Sequence, residues 1–96
     1  MTTIAPELDH YLTQHRSRLE AELFDFLRIP SISAQPQHAE ETRRAAQWVT
    51  AALEHAGLVA AVHETPGHPI VVGEYRGAGR DAPTVLIYGH YDVQPP

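Results

Sequence analysis

Apolar positions recur at helical spacing through the first third of the chain. Leu8, Leu12, His15, Leu19, Leu23, Phe26 and Leu27 make one stripe, with Gln14, Arg18, Asp25 and Arg28 opposite. The pattern predicts a helix from about Pro6 to Leu27. Pro6 suits the first helical position, where a missing N–H costs nothing. Glu7 and Asp9 sit well against the positive end of the helix dipole. Pro30 disfavours helical geometry at Ile29 and ends the element. Pro30 to His38, with Pro30, Pro36, Ser31 and Ser33, reads as a loop. A second helix is predicted from about Ala39 to Ala56, with Ala45, Trp48, Val49, Ala52, Leu53 and Ala56 on its apolar face. Glu40 and Arg44 can pair one turn apart. Gly57 is the expected left-handed stop, with Leu58 folding back onto Leu53.

After Gly57 the period changes. Leu58–Glu64 and Ile70–Arg76 are short β candidates around the turn Thr65–Pro69, which predicts a hairpin. Gly77 to Pro83 is a second turn. Thr84 to Gly89 is apolar at almost every position, as expected for a central strand buried on both faces. Two helices, a β-hairpin and a central buried strand predict the opening of an α/β domain with helices packed on a sheet, of which residues 1–96 are an incomplete part.

Composition narrows the function classes. The hydrophobic fraction of 43% suits a globular chain. Twelve acidic residues against seven Lys and Arg give a net charge of −5, and no basic cluster occurs, so no nucleic-acid partner is expected. The absence of cysteine excludes disulfides and thiolate-bound zinc. Met1 to His10 lacks a signal-peptide pattern. The apolar runs Leu58–Val62 and Val85–Tyr88 are too short to span a bilayer. The expectation is a soluble, cytoplasmic protein with no membrane partner.

The chemistry concentrates at the end of the apolar run. His90 and Asp92, two apart on an extended segment, point to the same side. One ring nitrogen of His90 can bind a metal while the Asp92 carboxylate orients the ring, an outer contact that fixes the tautomer. Gly89 allows close backbone approach, and Pro95 and Pro96 stiffen the exit. His-x-Asp is nonetheless a short pattern, and a surface histidine beside a carboxylate would look the same. The other histidines are weaker candidates. His10, His15, His38 and His55 lack a partner at metal-binding spacing, and His63 and His68, flanking the hairpin turn, have no third ligand nearby. Ser31 and Ser33 read as turn and capping residues, outside any nucleophile elbow. Gly73, Gly77 and Gly79 form no phosphate loop. Phe24, Phe26 and Trp48 read as packing residues.

Val85-Leu-Ile-Tyr-Gly-His-Tyr-Asp-Val-Gln-Pro95 resembles the first metal-binding motif of the zinc aminoacylase/carboxypeptidase/dipeptidase family, with the carnosinase-like dipeptidase branch nearest. Ile29–Ala34 is similar to that family's loop after the first helix, Arg43–Val49 to its second helix, and Gly67–Tyr75 to its second strand. Tyr91 with Gln94-Pro95-Pro96 is similar to the dipeptidase branch, where deacylases more often carry Thr between His and Asp.

The resemblance implies the N-terminal part of a zinc-peptidase-like α/β catalytic domain, its central strand in a mixed sheet, that binds two zinc ions, or other divalent metals, bridged by a carboxylate and water. His90 matches a zinc-ligating histidine. Asp92 matches the catalytic-site aspartate that supports that histidine without ligating. The general base and remaining ligands of the family fall beyond Pro96. The expected activity of the complete protein is metal-dependent hydrolysis of dipeptides or short peptides, with a homodimer possible. Two alternatives stand beside it. One is an amidohydrolase that removes acyl groups from N-acyl amino acids. The other is a non-catalytic 96-residue fragment, since the chain by itself is expected to be inactive.

Overall fold

The computed structural model describes residues 5–96, so Met1 to Ile4, part of the stretch read for a signal peptide, lie outside the described residues. Three α-helices and a two-stranded antiparallel sheet form a small α/β arrangement, as the sequence pattern implied.

The first helical stretch is two helices, α1 (Pro6–Gln14) and α2 (Arg16–Leu27), separated at His15, whose φ of −106° and ψ of 10° leave helical geometry. The single helix expected over this range is corrected by that break. Thr13, His15 and Ser17 are weak helix formers, and neither helix has a buried residue that would clamp the join against a core. The imidazole of His15 lies against the ring of Tyr11, with centroids 4.4 Å apart. Much of the predicted stripe stays open to solvent, Leu8, Leu12, Leu23 and Leu27 among it, together with Phe24. Phe26 reaches the next layer, its ring centroid 5.0 Å from that of Trp48.

The buried centre lies where the loop after α2 crosses the next helix. Ile29 and Ile32 of the loop and Ala45 and Ala46 of that helix are the buried apolar residues, and Ser31 and Thr42 are buried polar ones. A short 3₁₀ turn, Pro36–His38, leads into α3 (Ala39–His55). The buried positions of α3 are all small, Thr42, Ala45 and Ala46. Thr42 satisfies its buried hydroxyl by donating to the carbonyl of His38 at 2.9 Å.

At the end of α3, Gly57 has φ of +100°. The Gly57 N–H donates to the carbonyl of Glu54 and the Leu58 N–H to that of Leu53, each at 3.0 Å. That pair of bonds is a Schellman stop, which reverses the chain and brings Leu58 back over Leu53. The hairpin follows as β1 (Val59–His63) and β2 (Ile70–Glu74), each slightly shorter than the pattern suggested. Register pairs Val59 with Glu74 and His63 with Ile70. Alternation turns Ala60, Val62, Val71 and Gly73 toward α3, with their neighbours exposed. A Cβ at Gly73 would lie 3.0 Å from Leu53 Cδ1 and 3.3 Å from Leu58 Cδ2, so the absent side chain is what lets sheet and helix close.

Thr84 to Gly89 departs from expectation. It joins no ladder among the described residues, and Val85, Leu86, Ile87 and Tyr88 are 81, 92, 86 and 88% exposed. The buried central strand is thus not formed within this chain. A strand covered on both faces needs neighbours to take its N–H and C=O groups and to cover both rows of side chains. The sheet of the described residues has two strands and supplies neither. No helix among the described residues is long and apolar enough to cross a membrane.

Gly73→Val should weaken packing of the hairpin on α3 by about 1–3 kcal/mol through overpacking against Leu53 and Leu58. Urea denaturation checks this; an unchanged midpoint would contradict the close approach described.

Candidate functional site

The tail becomes structured where the chemistry begins. Ser31, buried at 1% exposure, grips it twice. Its hydroxyl donates to the carbonyl of Tyr91 at 3.0 Å, and its own carbonyl accepts from the N–H of Val93 at 3.0 Å. The pair spans 60 residues of sequence, and it seats Tyr91 to Val93 on the loop while the preceding apolar run stays exposed.

The hairpin turn grips from the other side. Thr65 closes that turn, its hydroxyl accepting from the N–H of Gly67 at 3.1 Å and donating to the carbonyl of His68 at 2.7 Å. The turn then presents two groups. The carbonyl of buried Pro69 accepts from the Tyr91 hydroxyl at 2.6 Å, and His68 Nε2 donates to the carbonyl of Ser33 at 2.8 Å. Partial burial pushes the Tyr91 phenol up from its ordinary value. Arg43 on α3 forks onto Glu64 at 2.6 and 2.8 Å and ties the base of the turn to the helix. The Arg43 hydrogen bond holds the Glu64 carboxyl below the ordinary range.

His90 and Asp92 lie together as their spacing predicted. His90 Nδ1 is 2.7 Å from Asp92 Oδ1. An ionised carboxylate only accepts, so Nδ1 carries a proton, and in the neutral ring Nε2 keeps its lone pair. The His90 side chain is 73% exposed, and Nε2 has no protein partner among the described residues. The second oxygen, Asp92 Oδ2, accepts from the Ser33 hydroxyl at 2.5 Å. That bond first, and His90 second, hold the Asp92 carboxyl below the ordinary range.

Ser31 and Ser33 were expected to be turn and capping residues. Ser33 does lie in a turn, yet both hydroxyls act on the tail, 60 and 59 residues away, and neither caps a helix. Nothing in local spacing signals a contact of that range. The order Ser33–Asp92–His90 differs from a nucleophilic triad, because the serine bonds the carboxylate and leaves the imidazole untouched.

Among the described residues no other histidine hydrogen-bonds to His90 or Asp92. His68 is engaged with Ser33, and His38 Nδ1 lies 3.4 Å from Glu41 Oε1 at the start of α3. An open cleft of about 430 Å³ borders Ser33, walled by Pro36, Glu40, Arg43 and Pro66 to Pro69. Its basic side chains are already committed, Arg43 to Glu64 and His68 to Ser33.

The donor set fits one position of a metal site. Nδ1–H is bound to a carboxylate and Nε2 is accessible, which is how a metal-binding imidazole is prepared. Among the described residues no group of three His, Cys, Asp or Glu side chains gathers to complete such a site.

The chain is similar to a cysteinylglycine-S-conjugate dipeptidase from Corynebacterium striatum, 41% identical over 85 residues. The match takes in 88% of this chain and 18% of that relative, so the chain spans less than a fifth of the length of the protein it resembles. No family model matches the chain, and no solved structure matches it significantly. The likeness supports a dipeptidase-type relationship and leaves the carnosinase-like branch without a bearing.

The depressed Asp92 carboxyl has a definite pH consequence in metal-free protein. Its contribution to docking of the tail is full above the unfolded carboxylate pKa of about 3.9. That contribution is lost as pH falls through the lower folded value. A ¹³C titration of the Asp92 carboxyl should have its midpoint below the ordinary one; a midpoint at or above it would contradict the two hydrogen bonds.

Proposed function

We propose that this chain is the N-terminal part of the catalytic domain of a metal-dependent dipeptidase, a hydrolase that uses zinc to cleave dipeptides or short peptides. The observation that carries the reading is the His90–Asp92 pair, with Nδ1 bound and Nε2 accessible, in a segment that resembles a zinc-peptidase motif. The likeness to a protein named as a dipeptidase supports the same substrate class.

His90 would hold a metal through Nε2, and Asp92 would keep its ring in one tautomer and orientation. Zinc, when bound, would supply Lewis-acid polarisation of the scissile carbonyl and a water acidified toward neutral pH. Tyr91, bonded through its hydroxyl to Pro69, fixes the backbone between the two functional side chains. The general base and further ligands would come from beyond residue 96, since the described residues gather no group of three His, Cys, Asp or Glu side chains. The 96-residue chain by itself should show no turnover.

In the full-length protein, His90→Ala should abolish tight binding at one zinc site, and a chelator should remove activity that added zinc restores. Asp92→Ala should lower metal affinity or activity about 10–100-fold with the ligands still present. Zinc titration of both variants is the check; parent-like binding in both would remove His90 and Asp92 from the site. A panel of dipeptides against N-acetyl amino acids tests the substrate class, and preference for the latter would favour deacylation. Zinc-dependent turnover by the 96-residue chain alone would overturn the assignment of the base to residues beyond it.

A further inference from the structure

We infer that Ser33 is a positioning residue for His90, acting through Asp92. The inference rests on the proposed role of His90 for its metal side and on the geometry of the loop for the rest. Asp92 has two carboxylate oxygens, and each is used once, Oδ1 by His90 Nδ1 and Oδ2 by the Ser33 hydroxyl. The His90 contact alone joins two residues of one short segment, which can swing together. The Ser33 contact ties the pair to a different element, 59 residues earlier in the chain.

Ser33 is itself well anchored. Its carbonyl accepts from His68 Nε2, and it follows Ile32, which is buried. The path therefore runs from the core through the Ser33 hydroxyl to the carboxylate, and from the carboxylate to the ring. Ser31, two residues earlier, makes a contrast within the same loop. It holds the carbonyl of Tyr91 and the N–H of Val93, and so grips the tail backbone without touching the carboxylate. The two serines thus divide the work: Ser31 seats the segment, and Ser33 orients its chemistry.

The division is testable in the full-length protein by zinc competition with a chromophoric chelator at fixed pH. Ser33→Ala should weaken one zinc-binding step about tenfold, the lower end of the effect of removing a contact behind a ligand. Ser33→Thr, which keeps the hydroxyl, should return that step to within about threefold of the parent. Ser31→Ala, which keeps the bond from the Val93 N–H to its own carbonyl, should lower the melting temperature and weaken zinc binding less than Ser33→Ala does. His90→Ala should abolish the same step.

Parent-like zinc affinity in Ser33→Ala, with loss in His90→Ala, would overturn the role of Ser33 and leave that of His90 standing. Equal losses in Ser33→Ala and Ser31→Ala would also overturn it, because the loop would then act only as structure. Retained affinity in His90→Ala would instead overturn the metal role of His90. The positioning claim is then decided in metal-free protein, by ¹⁵N NMR of the His90 ring. The parent should hold the Nδ1–H tautomer, and Ser33→Ala should release it to a mixture; unchanged ring signals would overturn the inference. Should Ser33→Ala fail to fold, Ser33→Cys carries the same comparisons with a weaker donor of similar shape.

Discussion

The two hydrogen bonds between Ser31 and the 91–93 segment turn this chain from a helix–hairpin scaffold with a loose tail into a scaffold with a site. The apolar run before them is exposed and pairs with nothing among the described residues. His90 and Asp92 would share that freedom if Ser31 did not take both a carbonyl and an N–H of the tail. A net contribution of about 0.5–1.5 kcal/mol per bond is modest. Burial of Ser31 raises the stake, because a lost partner leaves a desolvated polar group at a cost of about 1–3 kcal/mol. The tail is therefore held in one register, and that register sets where the imidazole stands.

The rest of the scaffold serves this docking. Ile29, Ser31 and Ile32 of the serine loop are buried, as are the small residues Thr42, Ala45 and Ala46 of α3. The Schellman turn at Gly57 sends the hairpin back along the helix, and the bare Cα of Gly73 lets it close. As a result the hairpin turn arrives beside the loop, where Pro69 takes the Tyr91 hydroxyl and His68 takes the Ser33 carbonyl. The helices α1 and α2, with no buried residue, stand outside this framework and touch it through Phe26 and Trp48. Local stability follows burial, so these helices should open most easily and the serine loop least.

The site has one prepared imidazole and a supporting relay. Ser33, Asp92 and His90 lie in a line of two hydrogen bonds, and the accessible Nε2 is at its end. A serine at the far side of the carboxylate cannot be activated by the imidazole, so the arrangement suits orientation of a ligand better than nucleophilic attack. The chain spans 18% of its dipeptidase relative, and the exposed Val85–Tyr88 run is the place within it where packing is most incomplete.

Local features were legible in the residues themselves. Period and punctuation placed α3, the hairpin and the stop at Gly57, because each depends on neighbours within a few positions. The His90–Asp92 pairing was legible for the same reason, since an i, i+2 spacing on extended backbone brings side chains together wherever the segment lies. Periodicity also indicated which face of the first helical stretch was apolar, but not whether anything covers it, nor that it breaks at His15. The run at Thr84–Gly89 carries the pattern of a buried strand, yet a pattern cannot supply the neighbouring strands that burial needs. The roles of Ser31 and Ser33 were decided by tertiary structure alone. Their loop has no period, and their partners lie 59 and 60 residues away, brought into reach only when the loop and the hairpin turn have both closed on α3.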